Sequence, residues 1–202
     1  MKKVTQVKSH FKKCDQVIYR VILEMEEIGL PKPVAPTDYF AKLCREIISQ
    51  QLASKAAQAI LNRFLALFPN KKVTPEKILK LSEQSLRNVG MSWAKVKYIK
   101  DLAQKTKNKE VNIDGLKNLS DEEVITELTE VKGIGRWTAE MFLMFSLGRE
   151  DVFSHGDLGL RKAIRKLYGF KKMPSEKQAE RIVNHWSPYK TYGCLALWSI
   201  FD

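Results

Sequence analysis

The chain has 202 residues, 44% of them hydrophobic, which sets it apart from disordered chains and admits one substantial core or two small lobes sharing an interface. Its 35 Lys and Arg against 23 Asp and Glu leave a formal charge of +12, which favours a polyanionic partner over a merely lysine-rich solvated surface. No apolar run approaches the roughly 20 residues that span a bilayer, and Met1-Lys2-Lys3 is not followed by a signal-peptide apolar stretch, so a soluble, intracellular protein without membrane contact is expected.

Val7, Phe11, Cys14, Ile18, Val21, Met25 and Ile28 step by four and three, predicting one long amphipathic helix that ends at Gly29. Pro31, Pro33 and Pro36 then form a stiff connector. A helical pattern from about Phe40 to Ser49 meets the polar interruption Ser49-Gln50-Gln51, and a second runs from about Ser54 to Phe68. Thr74 before Pro75 starts a short helix, Leu86 to Gly90 closes the next, and Ser92 caps one running toward Lys105. Ser120 with Glu123 makes a capping box for a helix through Leu128, and Trp137, Met141, Phe142 and Phe145 recur at helical spacing. Leu160, Ile164 and Leu167 mark a helix stopped by Gly169. Ser175 with Gln178 repeats the capping box ahead of Ile182, Val183 and Trp186, and a last apolar helix runs from Tyr192 toward Phe201. With no period-2 strands, no repeats and no low-complexity segment, the expected fold is all-α, with nine or ten helices. Cys14, Cys44 and Cys194 are odd in number and lie in apolar helical patterns. They read as free, buried thiols, and neither a disulfide framework nor a four-cysteine metal site can be built from them.

The densest signal lies between Val131 and Arg161. Gly133-Ile134-Gly135 separates two amphipathic helices, so the chain reverses within a few residues, which two glycines permit by positive φ and close backbone approach. Such a helix-hairpin-helix aims backbone N–H groups and a helix start at an anion, and Lys132 and Arg136 flank the turn with positive charge. On a basic protein the anion is a nucleic-acid phosphate. Taken alone, the same glycines would serve a plain helix connector, because G-x-G is weak evidence. Asp157 reads either as the N-cap of the following helix or as a functional acid at its lip.

The blocks IISQQLASKAA (Ile47 to Ala57), GMSWAKVKYIKDLA (Gly90 to Ala103), VKGIGRWTAEMFLMFSLG, DVFSHGDLGLR and HWSPYKTYGCLALW (His185 to Trp198) resemble the helix-hairpin-helix-GPD superfamily of DNA glycosylases, within it the 3-methyladenine DNA glycosylase II type. The resemblance covers most of the chain from about Asp38 onward. It implies a two-lobed helical fold with the active-site cleft between a lobe at about 38–150 and one built from 1–37 and 151–202. It also implies a monomer acting on double-stranded DNA that carries damaged bases, in the cytoplasm or nucleoid of a bacterium or the nucleus of a eukaryote. The chemistry implied is base excision: a damaged nucleotide is extruded and its N-glycosidic bond hydrolysed.

Asp157 matches the family's catalytic aspartate, and a carboxylate there stabilises the oxocarbenium-like sugar of the transition state. An N-alkylated purine already carries positive charge and leaves without a second acid, so one carboxylate suffices. Trp137 stands where strand-cleaving members have a Schiff-base lysine, which implies a monofunctional enzyme that leaves an abasic site. Trp137 and Trp198 match aromatic base-pocket positions, with Met141 and Tyr192 as further pocket candidates. An indole face favours a cationic purine, although core packing is the ordinary use of a tryptophan. Gln51 aligns with the residue that plugs the gap left by the flipped nucleotide. The hairpin residues Lys132, Gly133, Ile134, Gly135 and Arg136 are the implied phosphate contacts. No cofactor is required, but the carbonyls of Thr129, Val131 and Ile134 are candidates to hold a Na+ or K+ ion. His155 is expected to shape its turn or meet a phosphate, and Asp151 to be a surface or capping residue. Two alternatives stay open: a glycosylase for deaminated bases such as uracil or hypoxanthine, and a non-catalytic helix-hairpin-helix module.

Overall fold

The computed structural model describes residues 2–30 and 32–201, so the expected break at Pro31 lies outside the described residues. Among those residues the regular structure is entirely helical: α1 (Lys2–Cys14), α2 (Gln16–Glu24), α3 (Tyr39–Ser49), α4 (Ser54–Ala66), α5 (Pro75–Lys80), α6 (Glu83–Asn88), α7 (Trp93–Lys107), α8 (Asp121–Thr129), α9 (Arg136–Phe145), α10 (Leu158–Leu167), α11 (Glu176–Val183) and α12 (Lys190–Trp198), with short 3-10 turns between. The expected nine or ten helices become twelve. One reason is that the predicted long first helix is two. Asp15 takes an extended backbone (φ −155°), and its Oδ1 accepts the amides of Val17 and Ile18, an N-cap that restarts the helix. The break shifts the register, so Ile18 and Ile22 are buried while Val21 and Met25 are only half-buried. α2 also stops at Glu24, short of Gly29.

Backbone packing divides the chain into two compact units, Met1–Lys32 with Leu143–Asp202, and Pro33–Phe142. The seams fall at 32/33 and 142/143, the second of them inside α9, where the sequence suggested 37/38 and 150/151.

In the 33–142 unit, α3 buries Phe40, Leu43, Cys44, Ile47 and Ile48, and α7 buries Val96, Ile99, Leu102 and Ala103. These faces follow helical spacing, and their burial is what holds helices of this length in place. Tyr39 meets Phe142 edge-to-face with centroids 5.4 Å apart. The predicted caps form: Thr74 accepts from Lys77 N, Ser92 from Lys95 N, and Ser120 and Glu123 close a complete capping box. Lysines also work internally. Lys100 Nζ donates to the carbonyls of Ile78, Leu79 and Leu81, closing the C-terminal end of α5, and burial lowers its pKa.

The other unit is organised around Asp15 and Trp186. Asp15 Oδ2 accepts from the Tyr168 hydroxyl (2.5 Å) and from Trp186 Nε1 (2.8 Å), tying the α1–α2 junction to the end of α10 and to the turn after α11. Trp186 is fully buried, and Gly193 of α12 gives it room, since a Cβ there would lie 2.3 Å from its Cε3. Asp151 accepts from Lys190 N and Ser187 Oγ at the head of α12, which is the expected capping role. All three cysteines are free. Cys44 and Cys194 are buried, whereas Cys14, also expected in the core, is half-buried because its helix ends there.

Candidate active site

Asp157 is the N-cap of α10: Oδ1 accepts the amide of Leu160 at 2.8 Å. The same oxygen accepts Trp198 Nε1 from α12 at 3.3 Å, so an indole N–H and a helix start both orient one carboxylate. Gly159 makes this approach possible. A Cβ there would sit 3.1 Å from Asp157 Oδ1 and 3.5 Å from Trp198 Cδ1, so any side chain would press between them. The Trp198 ring also packs at 5.9 Å on Phe145. The candidate acid is thus itself the cap of α10, and Trp198 touches it directly.

Tyr192 does not join this pair. It lies six residues before Trp198, about two thirds of a turn around α12. It is 3% exposed, its hydroxyl donates to Glu150 at 3.3 Å, and its ring meets Tyr189. Burial and Glu150 push its phenol up to about 12. The expected pocket role gives way to packing because the helical period turns its side chain elsewhere. His155 is half-buried beside Phe153, ring centroids 4.9 Å apart, in the turn that leads into Asp157.

The hairpin of the 33–142 unit follows α8. Val131 N–H donates to Leu128 C=O and Ile134 N–H to Val131 C=O, which reverses the chain. Of the two glycines, only Gly133 has a positive φ (+84°), and it packs on Tyr98 so closely that a Cβ would lie 2.1 Å from Cδ2. Gly135 needs no positive φ, and nothing lies within 4 Å of where its Cβ would be. The work expected of the two glycines together is therefore divided: Gly133 makes the turn, and Gly135 leaves an open surface. The ladder of α9 begins with Ala139 N–H on Gly135 C=O, so the amides just before it have no carbonyl within their own helix.

Two further hairpin expectations change. Arg136 is engaged by acids, with Nη2 and Nη1 at 2.5 and 3.1 Å from the two Glu122 carboxylate oxygens and Nε at 3.0 Å from Glu140, whose side chain is buried. Its charge braces the α9 start against α8 rather than standing ready for phosphate, and it holds the Glu122 carboxyl below its ordinary pKa. Ile134 is 4% exposed with its amide used, so it anchors the turn in the core. Lys132 keeps an exposed ammonium: its side chain is 76% exposed, with Nζ 3.9 Å from Asp101, which also accepts its amide. One turn into α9, Trp137 is 44% exposed, whereas Met141 is only 6% exposed and packs inward.

Gln51 is exposed and left-handed (φ +56°). With Gln50 at φ −49°, ψ 131° and Leu52 N–H on Ser49 C=O, residues 49–52 form a type II turn. The third place of that turn favours glycine, and a side chain there costs roughly 1–3 kcal/mol of backbone strain. Gln50, which the sequence did not separate from its neighbour, points the other way. Its Nε2 donates to Gly133 C=O (2.9 Å) and Thr138 Oγ1 (3.2 Å), while Lys95 Nζ donates to the carbonyls of Ile48 (2.8 Å) and Gln50 (2.7 Å). Neither tie had a sequence signal beyond a polar break and a lysine in a basic helix.

All-helical among the described residues, with a helix-hairpin-helix and an aspartate heading a later helix, the chain has the helix-hairpin-helix glycosylase fold. Residues 44–188 match the family described as HhH-GPD superfamily base excision DNA repair protein, and the chain belongs to that superfamily. It is 34% identical to DNA-3-methyladenine glycosylase 1 of Schizosaccharomyces pombe over 96% of this chain and 86% of that protein. Among solved structures, a DNA-3-methyladenine glycosidase from Bacillus halodurans superposes with a TM-score of 0.82 at 36% identity, covering 96% of this chain and 87% of that one. The S. pombe 3-methyladenine DNA glycosylase in complex with abasic DNA gives a TM-score of 0.82 at 33% identity, with 96% and 95% covered.

Proposed function

We propose that this protein is a DNA glycosylase of the 3-methyladenine type acting in base excision repair, and that it is monofunctional, hydrolysing the N-glycosidic bond of an alkylated purine and leaving an abasic site. The observation that carries the reading is Asp157, a carboxylate oriented through Oδ1 by Leu160 N–H and Trp198 Nε1–H at the head of α10. Ionised, it stabilises the positive charge that builds on the sugar as the glycosidic bond lengthens, and it orients the attacking water. The departing purine is already cationic, so bond breaking needs no second acid and no cofactor.

Trp137 has no nucleophilic amine to attack the sugar carbon, which supports hydrolysis without strand cleavage. Its exposed indole suits a cationic base through cation–π attraction of roughly 0.5–2 kcal/mol. The partner in this reading is double-stranded DNA with a damaged base, bound by a monomer in the nucleoid or nucleus. No helix among the described residues is long and apolar enough to cross a membrane. Lys132 and the backbone at Gly135 meet phosphate, and Gln51 fills the space vacated by the extruded nucleotide. A Na+ or K+ ion held by the carbonyls of Thr129, Val131 and Ile134 would supply positive charge behind the hairpin. Neutral carbonyls at the end of α8 and in the hairpin, that of Val131 also accepting the Ile134 amide, are a suitable donor set for it.

The test is a panel of duplexes, each with one lesion among 3-methyladenine, 7-methylguanine, ethenoadenine, hypoxanthine and uracil, assayed for base release before and after alkali and for borohydride trapping. Release of alkylated purines with strand breaks only after alkali is the expected result. Preferential release of uracil or hypoxanthine would establish the deaminated-base alternative, and no release would leave a DNA-binding module. A trapped enzyme–DNA adduct lost on Lys132→Ala would overturn the monofunctional assignment.

A further inference from the structure

The turn that presents Gln51 is poorly suited to a glutamine and is held from both sides. A type II turn prefers glycine where Gln51 stands at φ +56°. Lys95 Nζ, reaching from the first turn of α7, donates to the carbonyls of Ile48 and Gln50 and so fixes the peptide that leads into Gln51. The amide of Gln50 donates to Gly133 C=O and Thr138 Oγ1, joining the same turn to the apex of the hairpin and the first turn of α9, 83 and 88 positions along the chain. Lys95 is drawn from water to do this, and burial lowers its pKa.

We infer that Gln50 is a positioning residue that couples the Gln51 turn to the helix-hairpin-helix, so that a hairpin seated on phosphate holds the Gln51 side chain poised at the helix axis of the DNA. The inference rests on the reading of Gln51 as the residue that fills the vacated space. Its physical content is a shared set of hydrogen bonds. Gly133 C=O belongs to the peptide whose N–H closes the hairpin on Val131, so the Gln50 bond fixes that peptide plane from its other end. Lys95 is the second tie. The two reach the turn by different groups, one on the Gln50 side chain and one on its carbonyl. Without them the strained backbone at Gln51 relaxes, and the side chain searches many orientations before it enters the duplex.

The experiment is a double-mutant cycle on the full chain, using a duplex with a tetrahydrofuran abasic analogue beside a 2-aminopurine, whose fluorescence reports insertion, together with single-turnover excision of an alkylated purine. Gln51→Ala, Gln50→Ala and Lys95→Met are each expected to lower the fluorescence change and the excision rate, Gln50→Ala by about 3- to 10-fold, as expected for losing a neutral hydrogen-bonded tie. The double variant Gln50→Ala/Gln51→Ala is expected to lose no more than Gln51→Ala alone, since both act through one side chain. Binding to undamaged duplex should change less than insertion does. Should Gln50→Ala lose its melting transition, the isosteric Gln50→Glu, which cannot donate as a carboxylate, takes its place in the cycle. Insertion losses that multiply in the double variant, or wild-type insertion by Gln50→Ala while Gln51→Ala is impaired, would overturn the coupling and leave the Gln51 reading intact. Wild-type insertion and excision by Gln51→Ala would overturn the reading of Gln51 itself and the coupling with it.

Discussion

Substituting the two hairpin glycines one at a time separates folding from binding. A Cβ on Gly133 would lie 2.1 Å from Tyr98 Cδ2 and 2.4 Å from Cγ, both ring atoms that cannot fold aside without moving the whole side chain. Carbon atoms pack at roughly 3.5–4 Å, so the ring must shift by more than an ångström, an overpacking that costs about 1–3 kcal/mol. The left-handed backbone (φ +84°) adds about 1–2 kcal/mol for an L residue. Restricting the unfolded chain returns about 0.4–1 kcal/mol. Gly133→Ala should therefore lose about 2–4 kcal/mol, which for a chain of this size lowers the melting midpoint by about 5–15 °C. At Gly135 there is neither a positive φ nor an atom within 4 Å, so Gly135→Ala should stay within about 1 kcal/mol of wild type. The bulkier Gly135→Val should fold normally yet weaken binding to damaged and undamaged duplex alike by about tenfold or more, the scale of lost charge-assisted contacts. Urea unfolding and fluorescence-anisotropy titration measure the two effects. Equal stability of Gly133→Ala and Gly135→Ala would refute the packing argument, and wild-type affinity of Gly135→Val would refute the placing of phosphate at that surface.

Asp157→Asn keeps an oxygen that can accept from Leu160 N–H and Trp198 Nε1–H, so it should fold and bind DNA while single-turnover base release falls by about 10²–10³ or more. Excision within a factor of a few of wild type would remove Asp157 from the chemistry. Lys132→Ala should reduce the slope of log K against log salt by about 1. Arg136→Ala should leave that slope unchanged and instead lower the unfolding midpoint, because it removes the guanidinium bonds to Glu122 and to the buried Glu140; a reduced slope for Arg136→Ala would show that the guanidinium leaves its acids for DNA. Asp15→Ala removes the α2 cap and leaves Tyr168 Oη and Trp186 Nε1 without their acceptor, which should cost about 2–5 kcal/mol in urea unfolding, whereas Tyr168→Phe should cost only about 1 kcal/mol.

Helix starts and stops were readable along the chain because their causes are local. A serine three residues before a glutamate or glutamine, a threonine ahead of proline, and a glycine after an apolar-faced helix all act within one turn, and Ser120, Ser175, Thr74 and Gly169 behave accordingly. Asp157 was readable as a cap for the same reason, since its capping bond reaches only to Leu160, whereas its reading as the functional acid came from the family resemblance. The break at Asp15 was also local, but apolar periodicity runs through it and hides it, since an aspartate inside a helical pattern reads as one more exposed polar residue.

Long-range partners decided the rest. Composition cannot distinguish a lysine that faces DNA from Lys95 and Lys100, whose ammonium groups close helix ends. Nor can it see that Arg136 is occupied by Glu122, 14 positions earlier, or that Gln50 faces a carbonyl 83 positions away while Gln51 faces solvent. Which glycine needs its missing Cβ depended on where Tyr98 came to lie. Hydrogen bonds and steric contacts act over a few ångströms of space, whereas sequence patterns report neighbours only along the chain or around one helix. The residue types capable of the chemistry were therefore visible in one dimension, and the division between those that brace the hairpin and those left exposed came from three.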